Sequence, residues 1–217
     1  MFLAWKEIRY AKLRYGLIVG IMILVAYVVF MLSGLANGLA DGNRKAIDDW
    51  EATTIILSED SNKVVNASQL QQSDMNRVTA KEKAGIGVYG TAIEKKSGGE
   101  KTNVSIFGTA NDSFVVPKII QGRLYQKNNE MIVSENLLSE GYRLNQLIKI
   151  NDRLLKIVGI SKATTYTIAP VIYLNPTAFK TLKYGDHSSG AEPINMIATK
   201  GQTTITQQKG QTKLEKM

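Results

Sequence analysis

Gly85, Gly87 and Gly90 spell G-x-G-x-x-G, and Asp112 follows at about the distance of an acid that would hold a ribose. Residues of these types bind dinucleotides when the glycines turn a strand into a helix beneath a pyrophosphate. Here the residues after Gly90 run straight into a second turn, Ser97-Gly98-Gly99-Glu100, so no strand–helix–strand unit can be built. The three read instead as strand glycines. His187 is the only histidine, set in the turn-like G-D-H-S-S-G, and there is no cysteine, so His and Cys ligands cannot assemble a zinc site. No G-x-S-x-G, H-E-x-x-H or G-x-x-x-x-G-K-[ST] occurs. The expectation is therefore no catalytic residue, no cofactor-binding residue and no metal ligand.

The element around which the chain is organised is Tyr15 to Ala40, a run without one charge. A hydrocarbon core of about 30 Å needs roughly 20 helical residues at about 1.5 Å each, and Leu17 to Ala36 supplies them. A cleavable signal peptide is the alternative, since Gly34-Leu35-Ala36 and Gly38-Leu39-Ala40 end in small residues. Its apolar core would be about 7 to 15 residues, so length favours a retained anchor. Lys6, Arg9, Lys12 and Arg14 precede the run, whereas Asp41, Asp48, Asp49 and Glu51 follow it with Arg44 and Lys45. That asymmetry predicts a cytoplasmic N-terminus and a main domain outside.

At helical spacing Gly16, Gly20, Tyr27, Met31, Gly34, Gly38 and Asp41 are separated by 4, 7, 4, 3, 4 and 3 residues. At about 100° per residue they fall within an arc of about 80°. Gly16 with Gly20 and Gly34 with Gly38 fit the small-xxx-small pattern of helices that approach closely. This face is expected to meet protein, and the opposite face of Ile18, Val25, Val28, Val29 and Leu32 to meet lipid.

About 175 residues remain beyond the anchor, enough for one domain or two small lobes. The formal charge of +8 is spread among Asp, Glu, Asn and Gln with no basic helix, so nucleic acid is not an expected partner. The expected divisions are 1–14 as a cytoplasmic amphipathic elbow, 15–40 as the transmembrane helix, 41–52 as a polar stalk with Ile47 and Trp50 packed, 53–200 as the core domain and 201–217 as a polar tail. Within the domain, Thr53–Ser58 reads as a strand and 67–75 as a small helix. Ala84–Lys96 and Lys101–Thr109 read as a hairpin, and Pro117–Leu124 as a loop. Glu130–Ser134 is a strand passing into a helix stopped by Gly141, and Gln146–Ile160 is a hairpin turning at Asn151 and Asp152. Pro170–Leu174 is a buried strand, Asn175-Pro176 caps a helix to about Lys183, and Ile194–Thr199 is the last strand.

Several of these stretches carry a resemblance. G-R-L-Y-x-x-x-N-E-M-I-V-S at Gly122–Ser134, N-Q-L-I-K-I-N-D-R-L-L-K-I-V-G-I at Asn145–Ile160 and A-P-V-I-Y-L at Ala169–Leu174 resemble the extracellular core of MacB/FtsX-type permeases of ABC transporters. S-G-L-A-N-G-L-A and D-D-W-E-A-T-T-I-I-L look most like the haem-exporter branch, the HrtB-type permeases. The resemblance implies an α+β chain: one N-terminal transmembrane helix with a stalk, then a mixed α/β MacB-like core domain outside a bacterial cell membrane. It implies a non-enzymatic permease partnered by a cytosolic ABC ATPase subunit, a second permease copy and the membrane. Family members carry three more membrane helices, so the chain is expected to be a permease's N-terminal part that does not transport alone. Haem is implied as cargo and not as a cofactor. Tyr27 and Met31, of types that ligate haem iron, become candidates for lining the cargo path or packing helices, beside Gly34 and Gly38. Gly16 and Gly20 are helix-packing candidates. Antimicrobial-peptide or lipid-like cargo, and a single-pass ligand-binding signalling module, are the alternatives.

Overall fold

The computed structural model describes residues 9–94, 100–186, 192–208 and 210–217. The hairpin turn at Ser97–Gly99, His187 and residues 1–8 of the elbow lie outside the described residues. The chain divides into two compact units, Met1–Asp41 and Gly42–Met217.

Helix α1 spans Lys12–Asp48, 37 residues without a proline, or about 55 Å at 1.5 Å per residue. Its apolar part, Lys12–Gly42, is long enough to cross a bilayer, and none of it is buried. The helix does not break at Ala40 but continues through Asp48. There Trp50 N–H donates to Ile47 O (3.2 Å) and Glu51 N–H to Asp48 O (3.1 Å), tightening the last turn, and Glu51 turns the chain at φ 51°.

The second unit is a mixed sheet of 11 strands with two small two-stranded ribbons. Its strands are β1 (Thr54–Ser58), β2 (Leu70–Gln71), β3 (Val78–Thr79), β4 (Glu82–Glu94), β5 (Lys101–Gly108), β6 (Ile119–Gly122) and β7 (Glu130–Ser134). After a single helical turn, α2 (Asn136–Ser139), come β8 (Leu147–Ile150), β9 (Arg153–Ser161), β10 (Thr165–Tyr166) and β11 (Ala169–Leu174). Helix α3 (Pro176–Tyr184) precedes β12 (Pro193–Ile194), β13 (Met196–Lys200), β14 (Thr204–Ile205) and β15 (Leu214–Lys216).

The long strand β4 joins two parts of the sheet. Its first half pairs with β13, which leads on through β1 to β15; its second half pairs with β5. From β5 the pairing runs to β11 (parallel), β7, β9 (parallel), β8 and back to β4 at Glu94–Lys149, closing a ring of six strands. β7 and the Val171–Leu174 part of β11 are buried on both faces, which is why they read as nearly unbroken apolar runs. Met131 and Val133 of β7, Ile172 and Leu174 of β11 and Val104 and Ile106 of β5 enter one core, covered by Ala178, Phe179 and Leu182 of α3. Ile132, Val171, Tyr173 and Phe107, pointing the other way, enter a second core.

Local chemistry fixes the elements as expected at several points. Asn175 Oδ1 accepts from Ala178 N–H (2.7 Å) with Pro176 at the first helical position. Asn151 (φ 46°) and Asp152 (φ 39°) turn β8 into β9 in the primed geometry that suits a right-handed twist. Gly141 follows α2 at φ 84°. The G-x-G-x-x-G glycines do sit in β4, and a Cβ at Gly87, or at Gly108 across from it, would collide with the Phe179 ring. These two glycines let α3 lie close on the sheet.

Three expectations are corrected. Residues 67–75 form no α-helix: Val65–Ala67 and Gln72–Arg77 are 3-10 turns around β2, and Asp74 accepts from Gln71 N–H (2.9 Å). The short polar side chains satisfy backbone groups locally in place of a helical ladder. The stretch Pro117–Leu124 is not all loop, because Ile119–Gly122 pairs with β9 as β6. Residues 201–217 are no free tail: β14 pairs with β3 and β15 with β1, and Leu214 is buried beside Ile56 and Ile197.

Candidate functional site

The residues that root α1 in the domain are Ala46, Ile47 and Trp50. At 3.6 residues per turn they share one side of the helix end, and Ala46 and Trp50 are buried while Ile47 is partly so. The Trp50 ring lies 5.6 Å from that of Phe107, which stands edge-on to Tyr166 at 5.2 Å and to Tyr173 at 5.8 Å. Edge-to-face rings at these distances attract through their quadrupoles as well as by burial. The four rings tie the stalk end to β5, β10 and β11. A second tie is backbone: Ile168 N–H donates to Gly42 O (3.2 Å).

Burial pushes Tyr125, Tyr166 and Tyr173 upward, with the Asp49 charge adding to the shift at Tyr173, so all three stay neutral. Tyr125 donates to Thr109 O (2.5 Å).

The G-R-L-Y…N-E-M-I-V-S stretch is a clamp beside this core. Gly122, at φ 83°, brings the chain against β9, where a Cβ would meet the Val158 carbonyl. Arg123 then donates to both carboxylate oxygens of Glu130 (2.8 and 2.6 Å), and Gln126 N–H donates to the same group (2.8 Å). The Arg123 bonds, reinforced by the backbone donors, hold the Glu130 carboxyl at about 2 against an ordinary 4.5. A depressed carboxylate stabilises the fold above its unfolded pKa, and this stabilisation is lost as pH falls from about 4.5 to about 2. The full shift corresponds to about 3 kcal/mol, but the half-exposed Arg123 is screened by solvent, so about 1 to 2 kcal/mol is expected. Glu130→Gln should remove that part of the acid dependence in denaturant titrations at pH 7 and pH 3; unchanged curves would contradict it.

A polar cleft of about 1090 Å³ lies between α3, the β2–β12 ribbon and residues Gln208, Gly210, Gln211 and Thr212. Arg77 there pairs with Asp74 (3.0 Å), and Lys183 donates to Val88 O (3.1 Å). Among the described residues no group of three or more His, Cys, Asp or Glu could hold a metal.

Every side-chain candidate from the sequence lies on α1. Tyr27 is 65% and Met31 58% exposed, and nothing among the described residues lies within 4 Å of a Cβ built at Gly16, Gly20, Gly34 or Gly38. The structure brings these six together only as one stripe of a helix. Phe107, Tyr166 and Tyr173 were not singled out from the sequence. Their only local signal was alternation in β5 and β11, which does not say which face meets the stalk.

A membrane-length helix rooted by its far end in a ring-closed α/β domain defines a membrane-anchored domain. The chain belongs to the MacB-like periplasmic core domain family, whose model matches residues 16–216. It is 28% identical over 212 residues to a Staphylococcus haemolyticus protein named for a hemin transport system, permease protein HrtB, covering 97% of this chain and 59% of that protein. It is 24% identical over 190 residues to an uncharacterized ABC transporter permease of Mycobacterium tuberculosis, covering 85% of this chain and 53% of that protein. The chain thus spans little more than half the length of these relatives. The extracellular domain of the noncanonic ABC-type transporter YknZ aligns over 68% of this chain and 82% of its own at 14% identity and a TM-score of 0.49.

Proposed function

We propose that this chain is the N-terminal part of the permease subunit of an ABC transporter that exports haem from the membrane. The observation that carries the reading is the family match over 16–216, joined to likeness to the HrtB-named protein along 97% of the chain. On this reading α1 crosses the cell membrane with its N-terminus in the cytoplasm, as the Lys and Arg before it and the acids after it favour. The residues after Asp41 stand outside.

Two permease copies and two cytosolic ATPase subunits make the transporter, and the ATPase is separate from this chain. Nucleotide-driven movement of α1 reaches the domain through Ala46, Ile47 and Trp50. That end of the helix is held by packed rings, which resist continuous deformation and so pass on a displacement. Haem is amphipathic and partitions into lipid, which suits entry from the bilayer between helices. Tyr27 and Met31 face that path, with Gly34 and Gly38 allowing close approach and Gly16 and Gly20 packing helices on the cytoplasmic side.

Deleting the permease gene should sensitise cells to haem, and the full gene should restore growth. Tyr27→Phe with Met31→Leu should restore it only in part. Unchanged haem tolerance in the deletion strain would remove the cargo assignment, and full rescue by the double variant would remove these two residues.

A further inference from the structure

The cleft of about 1090 Å³ beside α3 lies wholly within the second unit, Gly42–Met217. It reaches the upper end of the range of about 300 to 1,000 Å³ usual for small-ligand sites, but its walls are polar where such sites are mostly apolar. A molecule that fills it must itself be polar.

The charged residues that line the cleft are Asp74, Arg77, Lys180 and Lys183, three cations against one carboxylate. That carboxylate is already taken. Asp74 pairs with Arg77 at 3.0 Å, and Arg77 is engaged further by Thr206, Gln207 and Thr212, so the pair belongs to the fold. Lys183 differs. Its half-buried ammonium donates to Val88 O (3.1 Å) and Asn195 Oδ1 (3.5 Å), and it stands 5.6 Å from the centroid of the Phe179 ring and 5.3 Å from that of Tyr184. Asn195 is in turn fixed, accepting from Val88 N–H (2.7 Å) and donating to Ser68 O (2.9 Å). Carbonyl dipoles and ring faces thus hold the ammonium in place. They leave its unit charge uncancelled, and among the described residues no carboxylate pairs with it. Low-dielectric walls strengthen the attraction of such a cation for an anion, and an ammonium receives a carboxylate or a phosphate as a point charge.

The cleft also presents the exposed side-chain amides of Asn66, Gln69, Asn76, Gln208 and Gln211. An amide both donates and accepts hydrogen bonds, as a hydroxyl does, so this lining suits a polyhydroxyl molecule. Tyr184, 50% exposed, adds an apolar ring with a polar tip. A peptide fits less well. Gln71 N–H is already given to Asp74 Oδ2 (2.9 Å) and Gln72 N–H to Glu192 O (3.1 Å), so a peptide added as a strand along β2 would find neither donor.

We infer that this cleft binds an anionic saccharide, with the Lys183 ammonium meeting its carboxylate or phosphate and the side-chain amides meeting its hydroxyls. The inference is independent of the cargo proposed above.

Calorimetric titration of the full 217-residue chain, in a detergent without a sugar headgroup, tests it. Trigalacturonic acid supplies a carboxylate and glucose 1-phosphate a phosphate, each set against its uncharged counterpart, maltotriose or glucose. At least one acidic sugar should bind about tenfold more tightly than its counterpart and than penta-aspartate, the anionic peptide control. Lys183→Met should weaken that binding about tenfold, the size of one hydrogen bond to a charged group. Tyr184→Ala, an exposed change that spares the fold, should weaken it about threefold and serves if Lys183→Met does not fold. Whichever acidic sugar binds identifies the anion. Equal binding of the uncharged sugars overturns the inference, as does equal binding of penta-aspartate. Failure of both acidic sugars to bind, or binding that the folded variants leave unchanged, overturns it as well.

Discussion

Phe107→Ala is expected to destabilise the domain by about 3 to 5 kcal/mol, the range for emptying a fully buried phenylalanine site. Phe107 is 0% exposed and lies against Trp50, Tyr166 and Tyr173, so its removal opens a cavity where the stalk end, β10 and β11 converge. Rings from separate elements cannot all close on that space without moving the strands that carry them. The loss is read from denaturant unfolding of the detergent-solubilised chain in a Trp5→Phe background, followed by the fluorescence of Trp50, which then reports on the cluster itself. Tyr184→Ala, at a residue 50% exposed, is the control and should cost under about 1 kcal/mol. A loss below about 1 kcal/mol at Phe107 would mean that the stalk end is not held by packing.

Arg77→Met should cost a similar amount by a different route. The Arg77 side chain is 4% exposed and pairs with Asp74, itself 12% exposed. The guanidinium also donates to Thr212 O (2.7 Å), Gln207 Oε1 (3.1 Å) and Thr206 O (3.4 Å). It is thus the point where residues 201–217 are fastened to the 3-10 turn before β3. Taking away one member of a buried pair leaves the other charge uncompensated, at a cost of about 3 to 5 kcal/mol. Asp74→Asn combined with Arg77→Met should recover part of it. The accompanying sign is local: β15 should lose its hold on β1, and trypsin should cut after Lys200 and Lys213 well before the rest of the domain. A variant whose C-terminal segment stays as resistant as the parent would contradict this fastening.

Features set by chemistry within a few residues were legible in the sequence. The Asn151-Asp152 turn, the Asn175 cap with Pro176, and the reading of Gly85, Gly87 and Gly90 as strand glycines each depended only on near neighbours. The return of the chain to the start of the sheet was not legible. Leu214 to Lys216 join β1 across more than 150 residues of chain, and two- or three-residue strands among glutamines and threonines leave no period to read. The stretch 67–75 reads as a small helix because polar residues near an apolar one mimic its spacing, whereas it forms 3-10 turns. The junction was half legible. Ile47 and Trp50 were expected on a packed face, but Phe107, Tyr166 and Tyr173 come from strands whose pairing only the fold reveals. Along α1 the small-residue stripe is plain in the sequence, and among the described residues nothing packs against its glycines.

The central claim is that α1 carries this domain out through the cell membrane as part of a permease. Leu154 is 60% exposed on β9, and these 217 residues contain no cysteine. Leu154→Cys in the permease should therefore react with a membrane-impermeant maleimide on intact cells as fully as after lysis. Labelling that appears only once the cells are broken open would put the domain on the cytoplasmic side and contradict the account.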